Sequence, residues 1–274
     1  MSDQGGDRPA GMFSLDGRVA VVSGAAGLLG EHFAAALAGS GAAVVLADLD
    51  EDTCQRRAER LEAGDPPARA LAARCDVTDR GSWEALLGRT LEAFGRVDVL
   101  VNGAAFTNQS RTANFGSSFV DFPLADWRQI LDVNLTGTLL GCQVVGRRML
   151  EQGSGSIINL ASLYGVVSPN HRMYPGTGIV QPVAYSVSKG GVVALTRYLA
   201  TLWAEQGVRV NCITPGGVFN GHADEFVRRY AALCPAGRMA RPDELRGAVV
   251  YLASQASGYC TGHNLVVDGG WTVW

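Results

Sequence analysis

Short, continuously apolar segments alternate with longer amphipathic segments along most of the chain. RVAVVSG (18–24), AAVVLAD (42–48) and VDVLVNGA (97–104) are apolar at consecutive positions instead of at every second one. A strand with this pattern is buried on both faces, which is typical of a parallel sheet covered by helices. The alternation therefore predicts an α/β fold.

About seven strands separated by helices are predicted from this alternation. The further strands lie within 68–76 and at 156–162, 208–214 and 264–268, and the helices at 27–41, 51–64, 80–95, around 124–151, at 184–205 and near 241–254. No internal repeat or linker interrupts the series. The sequence therefore predicts a single-domain, doubly wound Rossmann fold over residues 15–274, with helices on both faces of the sheet. Residues 1–14 begin polar and Gly-rich and are predicted to form a flexible tail.

The charge and composition of the chain limit the classes of partner that we expect it to bind. The net charge is −3 and the pI about 5.8, so nothing indicates nucleic acid or an anionic membrane as a partner. No apolar run is long enough for a membrane span, and the first residues lack the apolar core of a signal peptide. The six cysteines include no C-x-x-C pair, and the four histidines are dispersed. We therefore expect a cytoplasmic protein with reduced cysteines and no metal site.

The first strand leads into a glycine-rich turn, G-x-x-G-x-x-G. Gly24 permits a tight turn, Gly27 a close approach of backbone to a pyrophosphate, and Gly30 close packing of helix on strand. The pyrophosphate would lie at the N-terminus of the following helix, beside Leu28 and Leu29, where free N–H groups and the helix dipole favour anions. A dinucleotide site is therefore predicted at this turn.

The second strand ends in an acidic residue, Asp48, followed by Leu49. A carboxylate at this position accepts hydrogen bonds from the ribose hydroxyls of the adenosine and repels a 2′-phosphate, which favours NAD over NADP. An alternative role for Asp48 is to cap the helix that follows.

Two polar segments follow the carboxyl ends of predicted strands, at 105–123 and 163–183. Open α/β sheets bind their ligands at this edge, so these loops are expected to contact a substrate. The second loop brings His171, Arg172 and Tyr174 toward the site. These side chains suit a polar, hydroxyl-rich or anionic substrate better than a steroid or a long acyl chain.

The residues at these strand ends resemble the short-chain dehydrogenases/reductases, from about residue 15 to the C-terminus. The motifs that carry the resemblance are Ser23-Gly24-x-x-Gly27-x-x-Gly30, Asp76-Val77, Asn102-Gly103-Ala104, Asn134, Ser162, Tyr185-x-x-x-Lys189, and Asn211 with Pro215-Gly216. A weaker similarity links 163–186 and the C-terminal end to oxidoreductases of sugar and nonulosonic-acid biosynthesis. Members of the family are commonly tetramers or dimers, so a homo-oligomer is expected.

The resemblance implies a catalytic tetrad of Asn134, Ser162, Tyr185 and Lys189. Tyr185 would exchange a proton with the substrate oxygen, Ser162 would hydrogen-bond that oxygen, and Asn134 would hold a water of the proton relay. The residues implied to contact the cofactor are Gly24, Gly27, Leu28, Leu29, Gly30, Asp48, Leu49, Asp76, Val77, Asn102, Ala104, Tyr185, Lys189, Pro215 and Val218. Those expected to contact the substrate are Ser162, His171, Tyr174 and Tyr185.

Lys189 is the only lysine beside 22 arginines. It lies one helical turn after Tyr185 and so shares a helix face with it. Its charge is expected to favour the phenolate and lower the pKa of Tyr185, and its ammonium can donate to the nicotinamide ribose.

The sequence as a whole predicts an NAD-dependent oxidoreductase. It would transfer a hydride between the nicotinamide and a secondary alcohol or ketone of a small polar substrate, such as a sugar or sugar derivative. Two alternatives stay open: a reductase of acyl or polyketide carbonyls, which Asp48 disfavours because such enzymes prefer NADPH, and a non-catalytic NAD-sensing protein.

Overall fold

The computed structural model describes residues 9–106, 118–177 and 179–274, and seven parallel strands form one sheet within these ranges. The strands are β1 (Val19–Ser23), β2 (Ala43–Asp48), β3 (Ala70–Arg74), β4 (Val99–Asn102), β5 (Gly155–Leu160), β6 (Val208–Pro215) and β7 (Asn264–Val267). Their order across the sheet is β3-β2-β1-β4-β5-β6-β7, and every neighbouring pair is parallel. The predicted doubly wound fold is confirmed.

Helices cover both faces of this sheet. They are α1 (Pro9–Met12), α2 (Leu28–Gly39), α3 (Glu51–Glu62), α4 (Arg80–Phe94), α5 (Leu124–Leu131), α6 (Gly137–Gln152), α7 (Val183–Trp203), α8 (Asp224–Leu233) and α9 (Arg246–Ala253). The predicted helix around 124–151 is formed by α5, a π-helical turn at Asp132–Thr136, and α6. Helix α8 was not predicted.

Alternate residues of the central strands enter two different hydrophobic cores. Ala20 and Val22 of β1 belong to the core that contains Phe33 of α2, whereas Val21 belongs to the core that contains Trp83 of α4. Successive side chains of a strand point to opposite faces, so a strand between two helical layers is apolar at every position. This double burial explains the continuous apolar runs in the sequence.

The strand order reverses beside β1, because β2 lies on one side of it and β4 on the other. In open α/β sheets, ligands bind in the crevice outside the carboxyl ends of the strands at such a switch point. Every predicted site element follows a strand at this edge or lies in the helices that pack beside it.

The N-terminal part of the chain differs in one respect from its prediction. Residues 9–12 of the predicted tail form the single helical turn α1, while residues 1–8 lie outside the described residues.

Across the described ranges, no helix is both long enough and apolar enough to cross a membrane. All six cysteines are free thiols, and five of them are buried.

Candidate active site

The turn between β1 and α2 is built on Gly24, whose φ of +71° lies in the left-handed region. A Cβ on Gly24 would lie 2.6 Å from the main-chain nitrogen of Ala104, so this turn packs directly on the chain that leaves β4. A Cβ on Gly30 would lie 2.1 Å from the carbonyl oxygen of Gly24. Both glycines are therefore required by the packing of the protein itself.

Gly27 is not required by packing in this way. It is exposed, and a Cβ there would meet only the carbonyl oxygen of Gly24, at 3.2 Å. Gly27 is also the N-cap of α2, and it gives that helix no side-chain hydrogen bond. The start of α2 thus presents its first N–H groups beside open space, an arrangement that fits the diphosphate of a dinucleotide.

Asp48, at the end of β2, is hydrogen-bonded to the glycine-rich turn. Its carboxylate accepts from the main-chain nitrogen of Ala26 at 3.0 Å and from that of Asp50 at 3.3 Å. Asp50, and not Asp48, caps α3, by accepting from the nitrogen of Thr53. The alternative role of Asp48 as a helix cap is therefore wrong. The next residue, Leu49, is 57% exposed beside this carboxylate, where it offers an apolar surface to a bound nucleoside.

Arg57 of α3 was missed by the sequence reasoning, although it contacts the same turn. Its Nη1 donates to the carbonyl oxygens of Ala25 and Gly27, the latter at 2.9 Å, and its Nη2 lies 2.8 Å from a carboxylate oxygen of Glu31. The guanidinium thus connects α3 to both the glycine-rich turn and α2. The sequence feature that could have indicated Arg57 is its position between Cys54 and Ala58, which are both buried on the inner face of α3.

The predicted contacts after β3 and β4 lie on either side of one small cavity. Val77, Asn102 and Ala104 line it. Asp76 has its carboxylate bonded to the nitrogen and hydroxyl of Thr78, and these hydrogen bonds lower the pKa of Asp76. The side-chain amide of Asn102 donates to Asn159 of β5 at 2.9 Å.

Two further predicted cofactor contacts lie at the end of β6. Pro215 is the last residue of that strand, and Val218 forms an isolated bridge with Ala240. These positions complete the row of strand ends along which a dinucleotide would lie.

Ser162 follows β5 and begins a 3₁₀ turn at Leu163–Gly165. Its Oγ accepts a hydrogen bond from the nitrogen of Tyr164 at 3.3 Å. A Cβ on Gly165 would lie 2.6 Å from the carbonyl carbon of Lys189, so this turn lies directly against the part of α7 that carries Lys189. The close approach brings Ser162 to the first turn of α7.

Tyr185 and Lys189 lie one turn apart in α7, as predicted from their spacing. Lys189 is 2% exposed, and its Nζ donates to the carbonyl oxygen of Leu160 at 2.7 Å. The same Nζ lies 5.8 Å from the centroid of the Tyr185 ring. Burial lowers the pKa of Lys189 to about 8.

The pKa of Tyr185 differs from its prediction. Burial raises the pKa of the phenol above its ordinary value, while hydrogen bonding from the Ser162 hydroxyl opposes the shift. The predicted lowering by Lys189 is not found: the Lys189 ammonium donates to the carbonyl of Leu160, and burial dominates the pKa of Tyr185. Ser162 is the group that favours the phenolate in this structure.

Asn134 is fully buried at the π-helical turn between α5 and α6. Its Oδ1 accepts from the nitrogen of Phe106 at 2.6 Å, and its Nδ2 donates to the Oγ of Ser188 at 3.1 Å. The side chain therefore connects the segment after β4 to α7. These bonds and a longer one from Nδ2 to the carbonyl of Phe106 use both amide hydrogens and one lone pair of Oδ1, so the side chain could hold a water of the relay only through the second lone pair of Oδ1. π-Helical turns are frequent at functional sites because they re-aim one residue.

The two predicted substrate residues of the second loop lie in different environments. His171 is exposed on a 3₁₀ turn at His171–Met173, and no contact joins it to the tetrad within the described part of the chain. Tyr174 is half-buried, and its hydroxyl is hydrogen-bonded to that of Tyr164. Of the first loop, residues 107–117 lie outside the described residues, as does residue 178 of the second.

Comparison with known proteins identifies the family. A family model described as enoyl-(acyl carrier protein) reductase matches residues 24–272. D-threitol dehydrogenase of Mycolicibacterium smegmatis is 40% identical over 266 residues, covering 95% of each chain. The chain belongs to the short-chain dehydrogenase/reductase family.

Two other members are similar over almost their whole length. The NAD-dependent glycerol dehydrogenase of Listeria innocua is 31% identical, covering 95% of this chain and 96% of its own. The structure of a gluconate 5-dehydrogenase from Burkholderia cenocepacia, in complex with NADP and tartrate, matches with a TM-score of 0.84 at 31% identity. That match covers 97% of this chain and all of the other.

Membership of the short-chain dehydrogenase/reductase family makes the chain an oxidoreductase that uses a nicotinamide cofactor, and the alternative of a non-catalytic sensor is left without support. The glycine-rich turn, the uncapped start of α2 and the exposed Leu49 fit such a cofactor. Over the ranges 9–106, 118–177 and 179–274, no group of three or more His, Cys, Asp or Glu residues is placed to hold a metal ion.

Arg57→Gln is expected to weaken dinucleotide binding with little change in kcat. The substitution removes charge-assisted bonds that hold the turn, each worth about 1.5–3 kcal/mol, so we expect KM for the cofactor to rise about tenfold. Arg60→Gln is the matched control, because Arg60 also bonds Glu31 but is 65% exposed and has no bond to the turn. Equal effects of the two variants on KM would contradict a role for Arg57 in holding the turn.

Proposed function

We propose that the protein is an NAD-dependent dehydrogenase that oxidises a secondary hydroxyl of a small polyhydroxylated substrate, a polyol or sugar derivative, and reduces the corresponding ketone. The observation that carries this proposal is the convergence of Ser162, Tyr185 and Lys189 at the carboxyl edge of the sheet, beside a turn suited to a dinucleotide. The similarity to D-threitol dehydrogenase supports a polyol as the substrate class.

In this mechanism, the side chains of the proposed tetrad transfer one proton from the substrate oxygen. The cofactor, when bound, supplies the hydride acceptor for the carbinol carbon. Tyr185 takes the hydroxyl proton as general base, and Ser162 hydrogen-bonds both the phenol and the substrate oxygen. Lys189, in its charged form, would donate to the ribose, and Asn134 positions α7 through Ser188.

Preference for NAD rests on the charge around Asp48. Its carboxylate is directed at the turn that would hold the diphosphate, where it can accept from a ribose hydroxyl and would repel a 2′-phosphate. The guanidinium of Arg57 is already bonded to two carbonyls and to Glu31, so its charge is compensated within the protein. This arrangement supports NAD over NADP.

Asp48→Asn tests the cofactor preference, because it removes the charge and keeps an oxygen that can accept from Ala26. We expect the ratio of kcat/KM for NADP to that for NAD to rise about tenfold, which corresponds to about 1.4 kcal/mol of relieved repulsion. Asp50→Asn makes the same charge change two residues away and should leave the ratio almost unchanged. Tighter binding of NADP than of NAD by the wild-type protein would refute the assignment.

The substrate class is tested by following reduction of NAD with a panel of polyols, sugars and their nucleotide conjugates. Turnover of polyols well above that of monohydric alcohols is the expected result. The second candidate, a reductase of acyl carbonyls, shares an acyl thioester as substrate with the enoyl-(acyl carrier protein) reductase that the matched family model names. Faster reduction of 3-oxoacyl thioesters, with NADPH, would therefore replace the polyol proposal with the second candidate. A cytoplasmic homo-oligomer, tetramer or dimer, is part of the same proposal.

A further inference from the structure

Tyr164 is held against the catalytic residues by its own main chain. Its nitrogen donates to the Oγ of Ser162, two residues before it. The following residue, Gly165, lies so close to the main chain of Lys189 that a Cβ there would be 2.6 Å from the Lys189 carbonyl carbon. The position of Tyr164 relative to the proton-transfer site is therefore fixed from two sides.

Tyr174 reaches the same place from the long loop after β5, and α8 holds that part of the loop. Arg229 of α8 donates to the carbonyl oxygens of Met173 and Pro175, at 3.1 and 2.6 Å. The ring of Tyr174 also packs on that of Phe226, with centroids 6.1 Å apart. Tyr174 is thus held in place by the hydrogen bonds to the residues before and after it and by the packing of its own ring.

The hydroxyl groups of Tyr164 and Tyr174 are hydrogen-bonded to each other. Burial raises the pKa of both phenols, and negative charge on Tyr185 raises these two pKa values further. Both phenols therefore remain neutral while Tyr185 exchanges its proton. Two neutral phenols carry two hydrogens, and their mutual bond uses one. Among the described residues, nothing accepts the second hydrogen.

We propose that the paired phenols of Tyr164 and Tyr174 form a subsite for a second hydroxyl group of the substrate, next to the carbinol that reacts at Tyr185. This inference rests on the proposed function and adds to it a recognition site for a diol. A phenol O–H that has no acceptor among the described residues, beside phenol oxygens that can still accept, matches an alcohol hydroxyl, which both accepts and donates.

The pair would also reject substrates that lack this hydroxyl. An apolar group placed against the phenols would leave their remaining hydrogen unpaired, and a buried unpaired donor costs about 1–3 kcal/mol. Sites built to hydrogen-bond a substrate hydroxyl discriminate strongly against the analogue without it. The subsite would therefore explain the proposed preference for polyols by two side chains, Tyr164 and Tyr174, that take no part in the proton transfer.

The test uses butane-2,3-diol and butan-2-ol, which differ by one hydroxyl. The wild-type protein is expected to have the higher kcat/KM with the diol. In the double variant Tyr164→Phe/Tyr174→Phe we expect the ratio of diol to monoalcohol to fall about tenfold, equivalent to one lost hydrogen bond. Removing both hydroxyls leaves neither without its partner, so the double variant should keep its melting temperature within a few degrees, whereas each single variant leaves one phenol alone.

Tyr198→Phe is the control, since Tyr198 lies on α7 but is 66% exposed. It should leave both the ratio and the rates unchanged. An unchanged ratio in the folded double variant, or an equal loss with both alcohols, would overturn the subsite while leaving the dehydrogenase intact. A wild-type protein that binds NAD but oxidises neither probe nor any polyol would instead refute the proposed function, and the subsite with it.

Discussion

Replacing Tyr185 with phenylalanine is expected to abolish turnover while the dinucleotide remains bound. Phenylalanine keeps the ring and its packing in the first turn of α7 but has no proton to exchange with the substrate oxygen. General acid–base catalysis contributes about 10²–10⁴-fold to a rate, and we expect kcat to fall by at least that range. Cofactor affinity should change much less, because in the proposed arrangement the glycine-rich turn and Asp48 would hold the other end of the dinucleotide.

The measurement compares kcat with the affinity for the reduced cofactor, followed by its fluorescence. Tyr198→Phe again serves as the control on the same helix. A Tyr185→Phe variant with wild-type turnover on a genuine substrate would eliminate the mechanism. Loss of cofactor binding together with turnover would show instead that Tyr185 has a structural role.

Lys189→Arg is expected to lose most activity although the charge is conserved. Lys189 is 2% exposed, and its compact ammonium reaches the carbonyl of Leu160 at 2.7 Å. A guanidinium is larger, planar and directs its donors in a fixed fork, so it cannot replace an ammonium in a filled site without moving its neighbours. We expect kcat to fall about 100-fold, the lower end of what a misplaced proton-transfer group costs.

Lys189→Met separates charge from size in this experiment, because it fills a similar volume without an ammonium. We expect it to be at least as inactive as Lys189→Arg and to melt at a temperature close to that of the wild type. The control is Arg197→Lys, a basic exchange on the exposed side of α7. Comparable turnover in the wild type and in Lys189→Arg would show that any basic residue suffices here.

Most of the strands could be predicted because they are buried on both faces, and such burial requires apolar residues at consecutive positions. Helix α8 was equally readable in principle, since DEFVRRYAAL begins with two acidic residues and places Phe226 and Tyr230 on one buried face. The dinucleotide turn was predicted from three glycines, and the structure separates their roles: packing requires Gly24 and Gly30, whereas Gly27 borders open space.

Contacts that depend on tertiary packing could not be predicted in the same way. The bonds of Arg57 to the glycine-rich turn exist only once α3 is folded back beside α2, 30 residues away in sequence. The raised pKa of Tyr185 comes from desolvation, which is a property of the surroundings and not of the Y-x-x-x-K spacing. His171 and Tyr174 are three residues apart, but one 3₁₀ turn leaves the first exposed and carries the second inward.

The burial of Lys189 also affects how the protein reacts with reagents that modify amines. Because it is the only lysine in the chain and is buried, no lysine amine is presented on the surface, and the other 22 positions with a strongly basic side chain are arginines. Acylating reagents, reducing sugars and amine-directed cross-linkers would therefore find no exposed lysine side chain to modify. With a pKa of about 8, the Lys189 amine is partly uncharged in mildly alkaline solution, so it is the lysine side chain at which a small amine reagent that entered the site would react.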